Sequence, residues 1–362
     1  MSNLFLFPGR GWIAGTTPSF GTQTLNATTN DFGIVFQMPE AATITTIGWR
    51  QGTLTGTPGT LRVGLQGVST TTGLQDGTYI GGATNYVDYN SWAAGNNNTF
   101  ITHTLPSSVS LTQGQLVCLY LKPQAVGTWN GTNQVTVTQN LNDIRNGICR
   151  PYSIVNGAIS SSFQDEVFLV RSSTKTYGNP VQSINTASLT TATNPDEVGL
   201  AFTIGSTYFS TYQVAGVRIV NGINASNAAG NIVLYNNTTA LQTLSVDTDQ
   251  VYRFGANSYE MYFTDSTLAT LNTGTEYILG QKATTTVASA WQPLYWTLPT
   301  SGDISAFSTQ TIRYGQRQGT GAWSFTNNTR LPAVELLIRS TAYSGGGGGL
   351  LVHPGTAGGM RG

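Results

Sequence analysis

A chain of 362 residues has room for two or more ordinary domains, and its 16 basic and 16 acidic side chains cancel. Charged residues make up only 9% of it, against roughly 25% in ordinary globular proteins, and no basic stripe is available to meet phosphates, which excludes nucleic acid as a partner. The 39% apolar content is scattered in short alternating runs, none near the ~20 apolar residues of a membrane helix, which excludes a helical membrane protein.

The chain opens on an arm, residues 1–21. Its apolar start, Leu4-Phe5-Leu6-Phe7, stops at Pro8 and has no basic leader, so it does not read as a secretory signal peptide. Gly9-Arg10-Gly11-Trp12-Ile13-Ala14-Gly15 is only superficially a phosphate loop, because Pro18 and Gly21 stand where a helix should begin.

From residue 22 the periodicity is two. Leu61, Val63 and Leu65 alternate with Arg62, Gly64 and Gln66, and Val135 and Val137 alternate with Gln134 and Thr136, the pattern of half-buried strands. His103 alternates onto one face of a strand over Phe100–Leu105 and reads as a surface or hydrogen-bonded histidine. Leu116 to Leu121 is apolar on both faces and should be a central strand, with Cys118 a buried small hydrophobe. Two cysteines supply neither a disulfide framework nor a zinc cluster, although a Cys118–Cys149 bridge stays open. Asn130-Gly131, Asn146-Gly147 and Asn156-Gly157 predict tight hairpin turns. Val167 to Val170 and Leu336 to Ile338 should be central strands too.

Chemistry is hard to find. Only His103 and His353 could serve as imidazole bases. Asp165-Glu166 and Asp196-Glu197 are adjacent carboxylates, which a strand sends to opposite faces, so neither makes a glycosidase pair. Asp247-Thr248-Asp249 lacks the glycine and terminal glutamate of a calcium loop. The expectation is no catalytic residue, no metal and no cofactor: the protein is not an enzyme.

The chain contains itself twice. LTQGQLVCLYLK (111–122) recurs as LNTGTEYILGQK (271–282), IRNG (144–147) as IRYG (312–315), EVFLVRS (166–172) as VELLIRS (334–340), and TTNDFGIVF (28–36) as TNPDEVGLAF (193–202), all at offsets between 160 and 168. The expected organisation is an arm (1–21), a first β-sandwich repeat (22–176), a second (177–344) and a Gly-rich tail (345–362). About eight strands per repeat fit a jelly-roll or related Greek-key sandwich, giving an all-β chain of two tandem sandwiches. The linker, 172–188, has no run of prolines or glycines, which suggests fixed packing. Arg145/Arg313 and Arg171/Arg339 hold equivalent places, either as intersubunit or ligand contacts or as ion pairs with Asp165 or Glu335.

Tyr86, Trp92, Trp129 and Trp323 lie in polar, Gly/Asn-rich stretches and are candidate aromatic platforms for a sugar or a partner, with core packing as the alternative. Nine of the last 18 residues are glycine, and Gly345, Gly346, Gly347, Gly348, Gly349, Leu350, Leu351, His353 and Pro354 are the candidate assembly residues. Ordering such a tail costs on the order of 1–2 kcal/mol per residue, so a groove or neighbouring strands would have to satisfy its backbone.

The run GTPGTLRVGLQGVSTTTGLQDGTYIGG (56–82) and the close LLVHPGTAGGMRG resemble segments of tailed-bacteriophage structural proteins, which are themselves similar to β-sandwich carbohydrate-binding modules. The resemblance implies a virion component such as a fibre, tail appendage or capsid decoration, made in the host cytoplasm and assembling with itself, often as a trimer, and with other virion proteins. It transfers no catalytic residue. A host-surface glycan is a further expected partner, and a glycan-binding module or adhesin is the competing class.

Overall fold

The computed structural model describes residues 3–6, 10–13, 20–38, 40–141, 144–147, 152–160, 165–178, 183–192, 195–203, 212–221, 229–246, 257–263, 268–286, 291–297, 313–327, 330–332 and 334–340. Among them the secondary structure is antiparallel β, with one 3₁₀ turn at Ala94–Asn96. The expected Gly-rich tail, including His353 and Pro354, lies outside the described residues, as do Cys149 and Asp247–Asp249.

The first unit is a sandwich. One sheet runs in the order Ala158–Ile159, Tyr152–Val155, Phe32–Gln37, Leu116–Pro123, Leu61–Val68, with Gln75–Tyr79 and Tyr86–Tyr89 sharing the far edge. The other runs Asp165–Glu166, Gln134–Leu141, Ala42–Thr55, Phe168–Arg171, Thr176–Gly178, with Phe20–Leu25 beside Gln134–Leu141 and Phe100–Leu111 beside Ala42–Thr55. Along much of the chain, successive strands alternate between the two sheets, so most pairings are non-local. Phe32, Ile34 and Phe36 bury one face of their strand against Ile47, Trp49 and Phe168 of the opposite sheet in one apolar cluster. The Phe36 and Phe168 rings meet across the core with centroids 4.7 Å apart.

The second unit repeats the six-strand path of the first sheet, with no counterpart of Tyr86–Tyr89 among the described residues. Its order is Ser324–Asn327, Arg313–Arg317, Glu197–Thr203, Glu276–Ala283, Gly230–Asn236, Thr239–Val246. Glu197–Thr203 and Glu276–Ala283 hold the places of their sequence matches, but Arg313–Arg317 pairs with Glu197–Thr203 as Tyr152–Val155 pairs with Phe32–Gln37. IRYG (312–315) therefore does not take the place of IRNG (144–147), and Arg145 and Arg313 are not equivalent: backbone pairing with Arg10–Ile13 draws Ile144–Gly147 into a separate sheet. Its other sheet holds Val334–Ser340 between Tyr212–Asn221 and the leading strand Asn3–Leu6, with Asn257–Tyr262 and Thr270–Leu271 on the far side of Tyr212–Asn221. Two smaller sheets complete the description: Ser183–Thr186, Leu294–Thr297 and Arg330–Pro332, and the pair Arg10–Ile13 with Ile144–Gly147.

The Leu116–Pro123 strand is central, and its residues from Val117 to Leu121 are buried. Leu116, expected inside, is 39% exposed because it stands at the strand's solvent end. Cys118 is a free, buried thiol. Asn156-Gly157 forms the expected hairpin turn with both φ values positive, 49° and 78°. Asn130-Gly131 also turns the chain, through Asn130 Oδ1 accepting the Thr132 and Asn133 N–H groups. Asn146-Gly147 does not: it lies within the Ile144–Gly147 strand, where backbone pairing to Arg10–Ile13 overrides the dipeptide's turn preference. That pairing also makes Arg10–Ile13, inside the run that superficially resembles a phosphate loop, a strand.

Candidate functional site

Three places concentrate distinctive chemistry. The first is an aromatic corner in the first unit. Trp92 donates its indole N–H to the Gly59 carbonyl at 2.9 Å and meets Tyr89, Trp129 and Trp49 edge-on at 4.8, 5.9 and 6.4 Å. Gly59 is required here, since a Cβ on it would stand 2.6 Å from Trp129 Nε1. The structure therefore brings Trp92 and Trp129 together, half-buried, against the core rather than laying them flat to solvent. Tyr86 lies elsewhere, and its face is covered by the Arg62 guanidinium at 3.7 Å, which Asp88 holds in a two-pronged ion pair.

The second place is the outer face of the repeated sheet. In the first unit Asp31, two residues before Gly33, accepts the Tyr120 hydroxyl at 2.9 Å and the Gly157 N–H at 2.9 Å, with Lys122 at 3.9 Å. In the second unit Glu197, two residues before Gly199, accepts the Tyr235 hydroxyl at 2.7 Å and the Arg317 Nε–H. The acid is in the same place but its tyrosine has changed strands. Gly280 stands where the first unit has Tyr120, and Tyr235 stands where it has Gln66. Gly280 makes room for this exchange: a Cβ there would meet Glu197 Oε1 at 2.5 Å and the Tyr235 ring at 3.0 Å.

Trp323 covers this second face. Its ring rests on Gly199 and Gly315, and Arg317 is held between Trp323 and Tyr235, 4.7 and 4.4 Å from their centroids. Arg317 and Glu197 are 7% and 0% exposed, so the pair is buried in full. Burial raises the Glu197 carboxyl above its ordinary pKa, against the opposing pull of Arg317 and Tyr235. Asp196 points differently, capping the Gly319 N–H at 3.0 Å, so the adjacent acids do separate. Sequence reasoning missed Arg317 altogether, because its partner is 120 positions away. Arg313, which it did single out, pairs with Glu276 rather than Glu335 and stacks on Phe325 at 4.0 Å. Arg171 donates to Thr176 Oγ1 at 3.0 Å, while the side chains of Arg145 and Arg339 lie outside the described residues.

His103 Nε2 is occupied by the Trp49 indole N–H, and burial lowers its pKa to about 4. The Cys118 thiol and the Tyr120 and Tyr235 hydroxyls are all pushed up by burial, away from the reactive anion. Among the described residues no group of three or more His, Cys, Asp or Glu side chains could hold a metal, and no helix is long and apolar enough to cross a membrane.

The third place is a sheet edge. Asn3–Leu6 runs antiparallel to Val334–Ser340, with Asn3 opposite Arg339 and Leu6 opposite Leu336. Leu336–Ile338 is an interior strand of its sheet only because this distant segment covers it. No family model matches the chain, and no curated protein or solved structure is significantly similar to it.

Proposed function

We propose that the protein is a non-enzymatic structural component of a tailed-bacteriophage particle, a capsid decoration, fibre or tail appendage, that assembles with itself, as a trimer for preference, and with other virion proteins. The observation that carries this reading is the leading strand. A segment from one end of the chain is laid along a sheet edge at the other, an arrangement suited to lacing a particle together. The near-absence of net charge, which lets copies pack closely, supports it. So does the state of Asp31, His103, Glu197 and Arg317, each buried and hydrogen-bonded to a neighbour in its own unit.

Native mass spectrometry of the full chain beside a version ending at Ser344 tests the assembly. The expected result is a discrete oligomer that weakens or dissociates without the tail; a full chain that stays monomeric at tens of micromolar overturns it. Proteomics of particles banded from a culture producing the protein tests the location, which is rejected if the chain is absent from intact particles.

The second reading is a glycan-binding module. Trp92, Trp129, Tyr86 and Trp323 are all only partly buried, which favours it, while each is also engaged by neighbours within its own unit, which supports the structural reading.

A further inference from the structure

In the first unit the edge of Phe168–Arg171 is covered by the residues that follow it. Ser172 Oγ accepts the N–H groups of Thr174 and Lys175 at 3.2 and 2.9 Å, turning the chain back. Thr176–Gly178 then pairs antiparallel, Arg171 opposite Thr176 and Leu169 opposite Gly178. Lys175 Nζ and the Tyr177 hydroxyl pin it to Glu40 at 2.7 and 3.0 Å. The second unit carries a similar lead-in, since Arg339-Ser340-Thr341-Ala342-Tyr343 echoes Arg171-Ser172-Ser173-Thr174-Lys175-Thr176-Tyr177. Yet the equivalent edge, that of Val334–Ser340, is taken by Asn3–Leu6.

We propose that this edge is a self-recognition edge, filled in the assembled protein by the Asn3–Leu6 strand of a second copy. The inference rests on the reading of the protein as an assembling one and names the contact through which it assembles. Three observations support it. The ladder is made with a strand remote in sequence, although a local hairpin closes the matching edge of the first unit. The next strand, Arg10–Ile13, pairs with Ile144–Gly147, next to the first unit's strands in the chain, while Asn3–Leu6 pairs with the second unit. Pro8 between them cannot donate to a ladder, so the two strands can dock on different bodies.

A strand bound by backbone pairing is offered identically by every copy, and exchange of an identical element is a low-cost route to oligomers. An exposed edge would otherwise template uncontrolled pairing. Donation from each copy to the next is head-to-tail, so it closes a ring when the rotation between copies permits. With 16 positive and 16 negative groups, net charge does not oppose the approach.

Two differently tagged full-length chains test this, one carrying Phe5→Cys and the other Leu337→Cys, positions that face each other in the ladder. Both carry Cys149→Ser, and Cys118 stays buried. They are co-expressed and treated with a short bis-maleimide. A covalent heterodimer bearing both tags, at least tenfold more abundant than from Phe5→Cys with Val126→Cys, is the expected result; Val126 is 69% exposed and serves as a random-collision control. Leu4→Cys with Ile338→Cys repeats the measurement should either first variant fail to fold by circular dichroism. Internal closure of a doubly substituted chain, without heterodimer from the mixture, overturns strand donation. If that protein is still oligomeric by native mass spectrometry, the assembly reading stands; if it is monomeric, both fall.

Discussion

The indole N–H of Trp49 donates to Nε2 of His103 at 3.1 Å, fixing the imidazole proton on Nδ1. Burial holds His103 neutral, with its pKa lowered to about 4 from the ordinary 6.5. Between those values the unfolded chain binds more protons than the folded one. The stability contributed by neutral His103 is therefore complete above pH 6.5 and is lost as pH falls toward 4, by up to about 3 kcal/mol. Urea midpoints at pH 7 and pH 4.5 should show this loss, and His103→Gln should remove that component; an unchanged pH dependence in the variant would refute the assignment.

Arg317→Ala should destabilise the protein by about 3–5 kcal/mol, because it leaves the fully buried Glu197 carboxylate with only the Tyr235 hydroxyl. The Glu197 pKa is already raised in the native state and rises further in the variant, so the folded chain then takes up a proton that the unfolded chain does not. The deficit of the variant relative to wild type should accordingly shrink from pH 7 to pH 5, the His103 contribution being common to both chains. Guanidinium titrations at the two pH values read both effects.

Gly199→Ala places a methyl group 2.8 Å from Trp323 Cη2 and 2.8 Å from Ile278 Cγ2. Overpacking of this kind costs about 1–3 kcal/mol. Trp323→Leu costs stability by itself but removes the clash with the indole, leaving that with Ile278, so the double variant should be more stable than the sum of the two single changes predicts. A double-mutant cycle from denaturant melts returns the coupling, and strict additivity would mean that the ring does not rest on the glycine.

Trp92→Ala should cost about 2–4 kcal/mol through lost packing against Tyr89 and Trp49 and the lost bond to Gly59. A glycan platform predicts the reverse pattern, abolished glycan binding with stability within about 0.5 kcal/mol of wild type, the usual range for a surface substitution. Calorimetric melting together with a glycan array separates the two.

The alternation of Leu61, Val63 and Leu65 made the sandwich legible before any coordinates, because a period of two is a local property of the chain. The internal matches went further: Gly33 answering Gly199 and Leu119 answering Leu279 mark strands that do hold the same places in the two six-strand orders. Asn146-Gly147 was misleading because turn preference is a local bias that strand pairing overrides. The Glu197–Arg317 pair and the exchange of Tyr120 for Tyr235 were invisible, since each depends on which strands become neighbours. Leu336–Ile338 reads as an interior strand in the sequence, but nothing local says that residues 3–6 would supply its second neighbour.

Asn3–Leu6 is synthesised long before the strand it pairs with. Some 330 residues separate it from Val334–Ser340, and at about 5–20 residues per second the apolar Leu4-Phe5-Leu6-Phe7 segment waits roughly 15–70 s during synthesis. Throughout that interval the only finished copies of its docking edge belong to chains completed earlier. On a polysome, where many such chains lie close together, that interval is the one in which the strand donation proposed above would take place.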